Sequence, residues 1–169
     1  MANTGLIGRL ERLQNRFLDW ARSKKADEVA TAEPLGRIED LRGRNYCVLV
    51  TYRKNGAAIP SPLWFGIGNA KIYVHTGGVK LKRIERNPNV LVAPCTFRGR
   101  PLAPPIKATA RLLSSGKEND AEASIQSNYG FQRRIYNRML GDLDAVGTYI
   151  EITPKESEQR RIEGAQIVH

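Results

Sequence analysis

Short apolar runs alternate with polar breaks along this chain, and the period within each run indicates the element it forms. In residues 1–25, Leu6, Leu10, Leu13 and Phe17 recur three or four positions apart, and Trp20 and Ala21 extend the series, which predicts a helix with one apolar face. Asn3 or Thr4 supplies its cap. Arg9, Arg12 and Arg16 make a basic stripe beside that face, so the helix covers a core, packs on a partner subunit or makes weak contact with a membrane surface. Residues 26–40 keep no period and carry Pro34 and Gly36, which reads as a linker with a short turn.

The folded domain is expected over 41–154, followed by a charged tail at 155–169. YCVLVTYR, from Tyr46, is a β-branched and aromatic run, and the Asn55-Gly56 pair after it suits a hairpin turn that needs positive φ. AAIPSPLWFGIG returns as a second strand. Pro60 and Pro62 cannot donate to a ladder, which puts that strand at a sheet edge, at a bulge or beside a ligand. After a turn at Gly68-Asn69-Ala70, KIYVHT sets Ile72, Val74 and Thr76 on one face and Tyr73 and His75 on the other.

VKLKRIERN then reads as a short helix stopped by Pro88, and NVLVAPCTF as a buried strand. In IKATARLLS, Ile106, Ala108, Ala110 and Leu112 share a face; in TYIEIT, Ile150 and Ile152 alternate with Tyr149, Glu151 and Thr153. Residues 117–140 between them read as one or two helices ending at Gly141. Six strands in mostly hairpin order with helices outside predict a mainly β fold, an antiparallel barrel with peripheral helices.

Composition narrows the partners. With 27 Lys and Arg against 17 Asp and Glu, the formal charge of +10 favours anions: nucleic acid, acidic lipid or a phosphorylated ligand. Cys47 and Cys95 each sit inside an apolar run, so neither a disulfide framework nor a cysteine metal site is expected, and a reducing cytoplasm is the natural setting. The chain has no run of about 18 apolar residues and no apolar signal-peptide core, which implies a cytoplasmic protein, at most peripheral to the inner membrane face.

The most informative stretch is TGGVKLKRIERNP, from Thr76 to Pro88. A strand ends in two glycines and opens onto a helix with Lys80, Lys82 and Arg83. Glycines let backbone N–H groups turn toward a ligand, the helix start adds about half a positive charge, and the side chains add full ones. The spacing matches neither the P-loop nor the dinucleotide fingerprint, and a glycine turn before a solvated basic helix would look the same. Arg53 at the end of the first strand and the proline-rich strand Ser61, Pro62, Leu63 and Trp64 supply a setting for a flat aromatic ligand.

The series Thr51-Tyr52-Arg53, Asn55-Gly56, Ser61-Pro62-Leu63-Trp64-Phe65, Lys71-Ile72-Tyr73-Val74-His75-Thr76, Lys80, Arg83 and Asn87-Pro88 resembles the pyridoxamine 5'-phosphate oxidase-like split β-barrel family. More narrowly, it resembles the branch of deazaflavin-dependent oxidoreductases that use coenzyme F420. The similarity covers roughly Leu41 to Pro154 and implies a six-stranded antiparallel split barrel of the FMN-binding type. It also implies a homodimer with cofactor sites at the subunit interface. By the same resemblance the cofactor phosphate would meet Thr76 and Lys80, with Lys82 and Arg83 close by. Ser61, Pro62, Leu63 and Trp64 would line the ring system, and Thr51 and Arg53 would approach from the first strand. The arginine and histidine positions that hold pyridoxal phosphate have no counterpart, so F420 comes first as cofactor and FMN second.

The implied activity is reduction of a small unsaturated, quinone-like or tetrapyrrole substrate, with the hydride step belonging to the cofactor and no catalytic triad expected. His75, Tyr129 and Tyr136 are candidate proton donors, none distinguished by sequence. No zinc-ligand spacing or nucleophile elbow is present. A cofactor carrier, or a binder of haem or a fatty acyl ligand, stays open on the same fold. A basic nucleic-acid-binding barrel is disfavoured, because aromatic residues make up only 7% and do not cluster with the basic ones.

Overall fold

A computed structural model describes residues 24–129 and 147–155. The predicted N-terminal helix, Tyr136, Gly141 and the tail beyond Lys155 lie outside the described residues. The strands are β1 (Tyr46–Tyr52), β2 (Ala58–Trp64), β3 (Gly66–Gly68), β4 (Lys71–Thr76), β5 (Asn89–Cys95), β6 (Ile106–Leu112) and β7 (Thr148–Pro154). Helix α1 is Val79–Arg86 and α2 is Glu118–Tyr129; short 3-10 turns occupy Lys24–Ala30 and Ile38–Leu41.

All strands join one antiparallel sheet in the order β2-β1-β5-β6-β7-β4-β3. The two ends of that order are consecutive in the chain. β2 and β3 are halves of the predicted second strand, interrupted at Phe65. The first half pairs with β1 from Tyr46↔Trp64 to Tyr52↔Ala58, and the second with β4 from Gly66↔Tyr73 to Gly68↔Lys71. One strand therefore borders both ends of the sheet and closes it into a barrel. The expected six strands become seven because this one breaks to change partners.

At the break the backbone leaves both ladders, and α2 takes over its hydrogen bonds. The Phe65 N–H donates to the Tyr129 hydroxyl at 2.9 Å, and the Phe65 carbonyl accepts from Asn128 Nδ2 at 3.0 Å. The Tyr129 hydroxyl donates to the Asn45 carbonyl, and Asn128 also donates to the Arg44 carbonyl at 2.9 Å. α2 can come this close because of Gly66: a Cβ there would lie 2.3 Å from the Ser124 backbone.

Inside the barrel, strand alternation delivers Cys47 and Leu49, Ile72 and Val74, Val90 and Val92, Ile106, Ala108 and Ala110, and Ile150 and Ile152, around a fully buried Phe65. The alternations expected for KIYVHT, IKATARLLS and TYIEIT hold. α1 packs on β1 and β6 and lays Ile84 and Leu81 against this core, covering one mouth of the barrel.

The runs of β1 and β5 are continuously apolar because both of their faces are buried. On the outer face, Val48, Val50, Leu91, Ala93 and Cys95 meet Ala26 and Val29 from the Lys24–Ala30 turn. This corrects the expectation that 26–40 is only a linker. Two small residues three apart carry too little periodic signal to reveal a packed 3-10 turn. Cys47 belongs to the inner cluster and Cys95 to the outer one, so the two thiols face opposite sides of the sheet. Burial, reinforced by Cys95, pushes the Cys47 thiol up, and burial raises Cys95 to about 12, so neither is a nucleophile near neutral pH. Among the described residues no helix is long and apolar enough to cross a membrane.

Two turns refine the sequence picture. In the first hairpin, Gly56 N–H donates to the Arg53 carbonyl at 2.9 Å, so Lys54 and Asn55 are the central pair and only Gly56, at φ 83°, takes positive φ. In the second, Asn69 and Ala70 are the central pair, both at positive φ (52° and 57°). That conformation costs a residue with a Cβ about 1–3 kcal/mol. Ala70→Gly is therefore expected to stabilise the fold by about 1 kcal/mol, read as a higher urea midpoint at unchanged slope. Tyr129→Phe, which orphans the Phe65 N–H and the Asn45 carbonyl at the break, is expected to cost about 1–3 kcal/mol in the same assay.

Candidate functional site

The site grows from the way β4 hands over to α1. β4 ends at Thr76, which pairs with Thr148, and the chain turns through Gly77 and Gly78 into the helix. Gly78 is the N-cap at φ 69°, ψ −144°, a backbone conformation open to glycine, and no side chain caps the helix. The Leu81 N–H donates to the Gly78 carbonyl at 3.2 Å, and no cap side chain accepts from the amides before it, which carry the positive end of the helix dipole.

Along α1, Lys80, Arg83 and Arg86 follow one another at three-residue spacing and form a stripe flanking the buried Ile84 and the half-buried Leu81. Glu85, the one acid in the helix, and the exposed Lys82 lie off that stripe. Arg86 Nη2 donates to the Tyr52 carbonyl at 3.1 Å, tying the end of α1 to the end of β1. Half-buried Arg83 has its pKa lowered first by burial, then by the charges of Arg53 and Arg86.

The predicted residues divide into groups. Thr51 and Leu49 share a parity, and Leu49↔Ser61 and Cys47↔Leu63 are direct pairs, so Thr51, Ser61 and Leu63 all face inward. Thr51 is 1% exposed, and its Oγ1 has no hydrogen-bond partner. Pro62 and Trp64 face outward, opposite Val48 and Tyr46. Trp64 stacks on Tyr129 with ring centroids 4.5 Å apart and meets Tyr46 edge-on at 6.3 Å.

The structure brings Thr51, Arg53 and Arg83 to one end of the barrel and places Thr76 and Lys80 at the start of the helix covering it. It does not bring Trp64 there: β2 runs from Ala58 at that end to Trp64, about 20 Å along the strand. Arg86 was missed by sequence reasoning, although its three-residue spacing from Lys80 and Arg83 was readable.

Of the candidate proton donors, Tyr129 is committed to the strand break, and burial pushes its phenol far up. Tyr136 lies outside the described residues. His75 lies against the Tyr149 ring, centroids 4.5 Å apart, and a Cβ on Gly147 would come within 2.3 Å of its imidazole. The Tyr149 hydroxyl donates to Glu122 of α2. Beside them Glu151, buried on the same outer face, accepts from Lys71 Nζ at 2.9 Å and Arg111 Nε at 2.7 Å. A cavity of about 400 Å³ opens elsewhere, between the Lys24–Ala30 turn and Pro101–Pro105; Glu28 and Glu33 on its wall suit no anion. No group of metal-ligating side chains occurs among the described residues.

No family model matches the chain, and no curated protein is similar to it in sequence. Solved structures do share its architecture. A proposed 5-nitroimidazole antibiotic resistance protein from Bacteroides thetaiotaomicron is similar with a TM-score of 0.53 at 13% identity, over 70% of this chain and 77% of the other. A FAD-binding protein from Mesorhizobium loti is similar with a TM-score of 0.50 at 13% identity, over 70% and 84%. A haem-binding protein from Mycobacterium smegmatis is similar with a TM-score of 0.50 at 14% identity, over 77% of this chain and 51% of its own. The chain thus has the split-barrel fold of pyridoxamine-phosphate-oxidase-like proteins. At these identities the likeness is one of fold.

The Glu151 network makes a pH prediction. Burial raises the carboxyl, but Arg111 and Lys71 outweigh it and hold the pKa below its usual value. A depressed folded-state pKa contributes stability that is present above the unfolded value and lost as pH falls through the folded one. Glu151→Gln is expected to lower the urea midpoint at about pH 7, where Lys71 and Arg111 lose their partner. It should also flatten the wild type's decline below about pH 4.5.

Proposed function

We propose that this protein is a split-barrel oxidoreductase that uses a flavin-type cofactor, F420 in first place and FMN in second. The observation that carries the reading is the uncapped, glycine-led helix α1 laid across one barrel mouth, with a cationic stripe from which its one acid is excluded. The donor set fits the phosphate end of such a cofactor: the first-turn amides, Thr76, Lys80 and the guanidinium of Arg83 on the same helix. The formal charge of +10 adds long-range attraction for an anionic ligand. The FAD-binding protein from Mesorhizobium loti, built on the same fold, supports a flavin-type ligand.

The cofactor, once bound, supplies the hydride chemistry. The chain's own residues bind and orient it. Thr76 and Lys80 hold the anionic end, and Leu81 and Ile84 anchor the helix that supplies the first-turn N–H groups. Trp64 lies too far along β2 to touch the same ligand within one subunit. A homodimer that sets one copy's Trp64 strand beside the other's α1 would unite them, with water excluded between the copies. The substrate class is a small unsaturated, quinone-like or tetrapyrrole compound, and the setting cytoplasmic.

Titration of the protein with F420, FMN and haemin in parallel, at low and moderate salt, tests this reading. Saturation by F420 is expected, with Lys80→Ala weakening it about tenfold to hundredfold through loss of a charge-assisted phosphate contact. Preference for FMN would move the cofactor assignment within the flavin type. Binding of haemin alone would replace oxidoreductase by haem carrier.

A further inference from the structure

The amphipathic series Leu6, Leu10, Leu13 and Phe17, with Arg9, Arg12 and Arg16 beside it, takes no part in the cofactor reading. The series continues to Ala21, and only Arg22 and Ser23 stand between it and Lys24, where the first 3-10 turn begins. Links of about two to five residues join antiparallel helices, so the segment has the length of link it needs to fold back along that turn.

The turn forms one wall of the cavity of about 400 Å³. Ala26 and Val29 root it in the outer face of the sheet, which leaves Glu28, Ala32, Glu33 and Leu35 at the opening. The opposite wall is Pro101–Pro105, where three prolines present apolar rings and carry no N–H to satisfy. The Gly36 N–H donates to the Pro105 carbonyl at 2.9 Å and the Leu102 N–H to the Pro94 carbonyl at 2.8 Å, so the two walls are fixed to each other and to β5. The groove is preformed, and its apolar lining is open: Leu35 is 56% exposed.

Charge selects the occupant. In a chain of formal charge +10, this groove is lined by Glu28 and Glu33 and by no lysine or arginine among the described residues. Residues 1–23 carry four arginines against Glu11 and Asp19. Arg9, Arg12 and Arg16 each precede an apolar position by one residue, so on a helix they run along one flank of the apolar face. Packing of such a face is what stabilises a helix of this length. Only the turn side of the groove carries carboxylates to receive the arginine flank, which fixes the way round the helix lies.

We infer that residues 1–23 dock within their own chain as a helix in the groove between the Lys24–Ala30 turn and Pro101–Pro105. Leu10, Leu13 and Phe17 enter the apolar groove, and the arginine flank faces Glu28 and Glu33. Docking withdraws the basic segment from lipid surfaces. The groove opens on the outer side of β1 and β5, away from the mouth covered by α1, so the inference stands or falls independently of the cofactor reading.

Amide hydrogen exchange of the full chain, resolved by mass spectrometry, tests the docking. Residues 6–17 are expected to exchange about tenfold slower in the wild type than in Leu35→Lys, which sets a cation in the groove. The amides of β1 should keep their protection in that variant, showing an intact barrel; Ala32→Lys, also at an exposed position, repeats the test should they lose it. Glu28→Gln combined with Glu33→Gln should speed exchange in 6–17 by about threefold, as loss of surface ion pairs does. Rapid exchange of 6–17 in the wild type, or protection unchanged in these variants, overturns the inference. Protection that grows with protein concentration overturns it in favour of docking on a second copy. Binding of the wild type to phosphatidylglycerol vesicles as tightly as Leu35→Lys overturns it in favour of a membrane surface.

Discussion

The break at Phe65 is the constraint on which the rest of the structure depends. A seven-stranded antiparallel sheet becomes a barrel here because one strand serves two ladders, β1 before the break and β4 after it. A strand that changes partners exposes a peptide unit to neither, and a buried peptide group without partners is unfavourable. Asn128 and Tyr129 remove that cost by bonding the Phe65 carbonyl and N–H. The same two side chains reach back to the carbonyls of Arg44 and Asn45 just before β1, so α2 fastens the start of β1 to the break. Gly66 makes this possible by letting the helix backbone rest on the strand.

Once the sheet is closed, its two mouths and its outer faces become distinct environments. Inward positions of β4, β6 and β7 are apolar up to the Thr76–Thr148 pair, and α1 packs Leu81 and Ile84 against that core. Sealing fixes the position of the helix, and with it the direction of the amides that follow Gly78 and the side from which Arg83 and Arg86 approach β1. The placement of the candidate site is thus a consequence of core packing: the buried face of an eight-residue helix dictates where its basic flank lies.

Much of this was legible in the sequence, and what was not has identifiable causes. Alternation exposed the inner face of β4, β6 and β7 because their outer faces carry polar residues such as His75, Lys107 and Glu151. Pro60 and Pro62 marked an irregular strand, though not that it would join both ends of the sheet, since strand exchange depends on partners distant in sequence. The packed turn at Lys24–Ala30 was hidden because its contribution is two small residues. Of the site, the glycine-led helix and its lysines were readable as a local motif. The approach of Arg53 to Arg83 and Arg86 was not, because it arises from tertiary packing of α1 on β1. The outward, stacked position of Trp64 follows from its register opposite Tyr46, which residue spacing alone does not give.

The two sides of the barrel handle charge in opposite ways. Under α2, Glu151 is buried yet held by Lys71 and Arg111, and Tyr149 is bonded to Glu122, so these groups find internal partners. Such a face is self-sufficient, and changes there act on stability. At α1 the balance is reversed: Arg86 reaches the Tyr52 carbonyl, and the charges of Arg53 and Arg86 act on half-buried Arg83. Mutual repulsion of like charges disfavours the folded form that holds them together. A fold that neutralises Glu151 with its own side chains leaves the α1 end positive, a field that suits an anionic ligand.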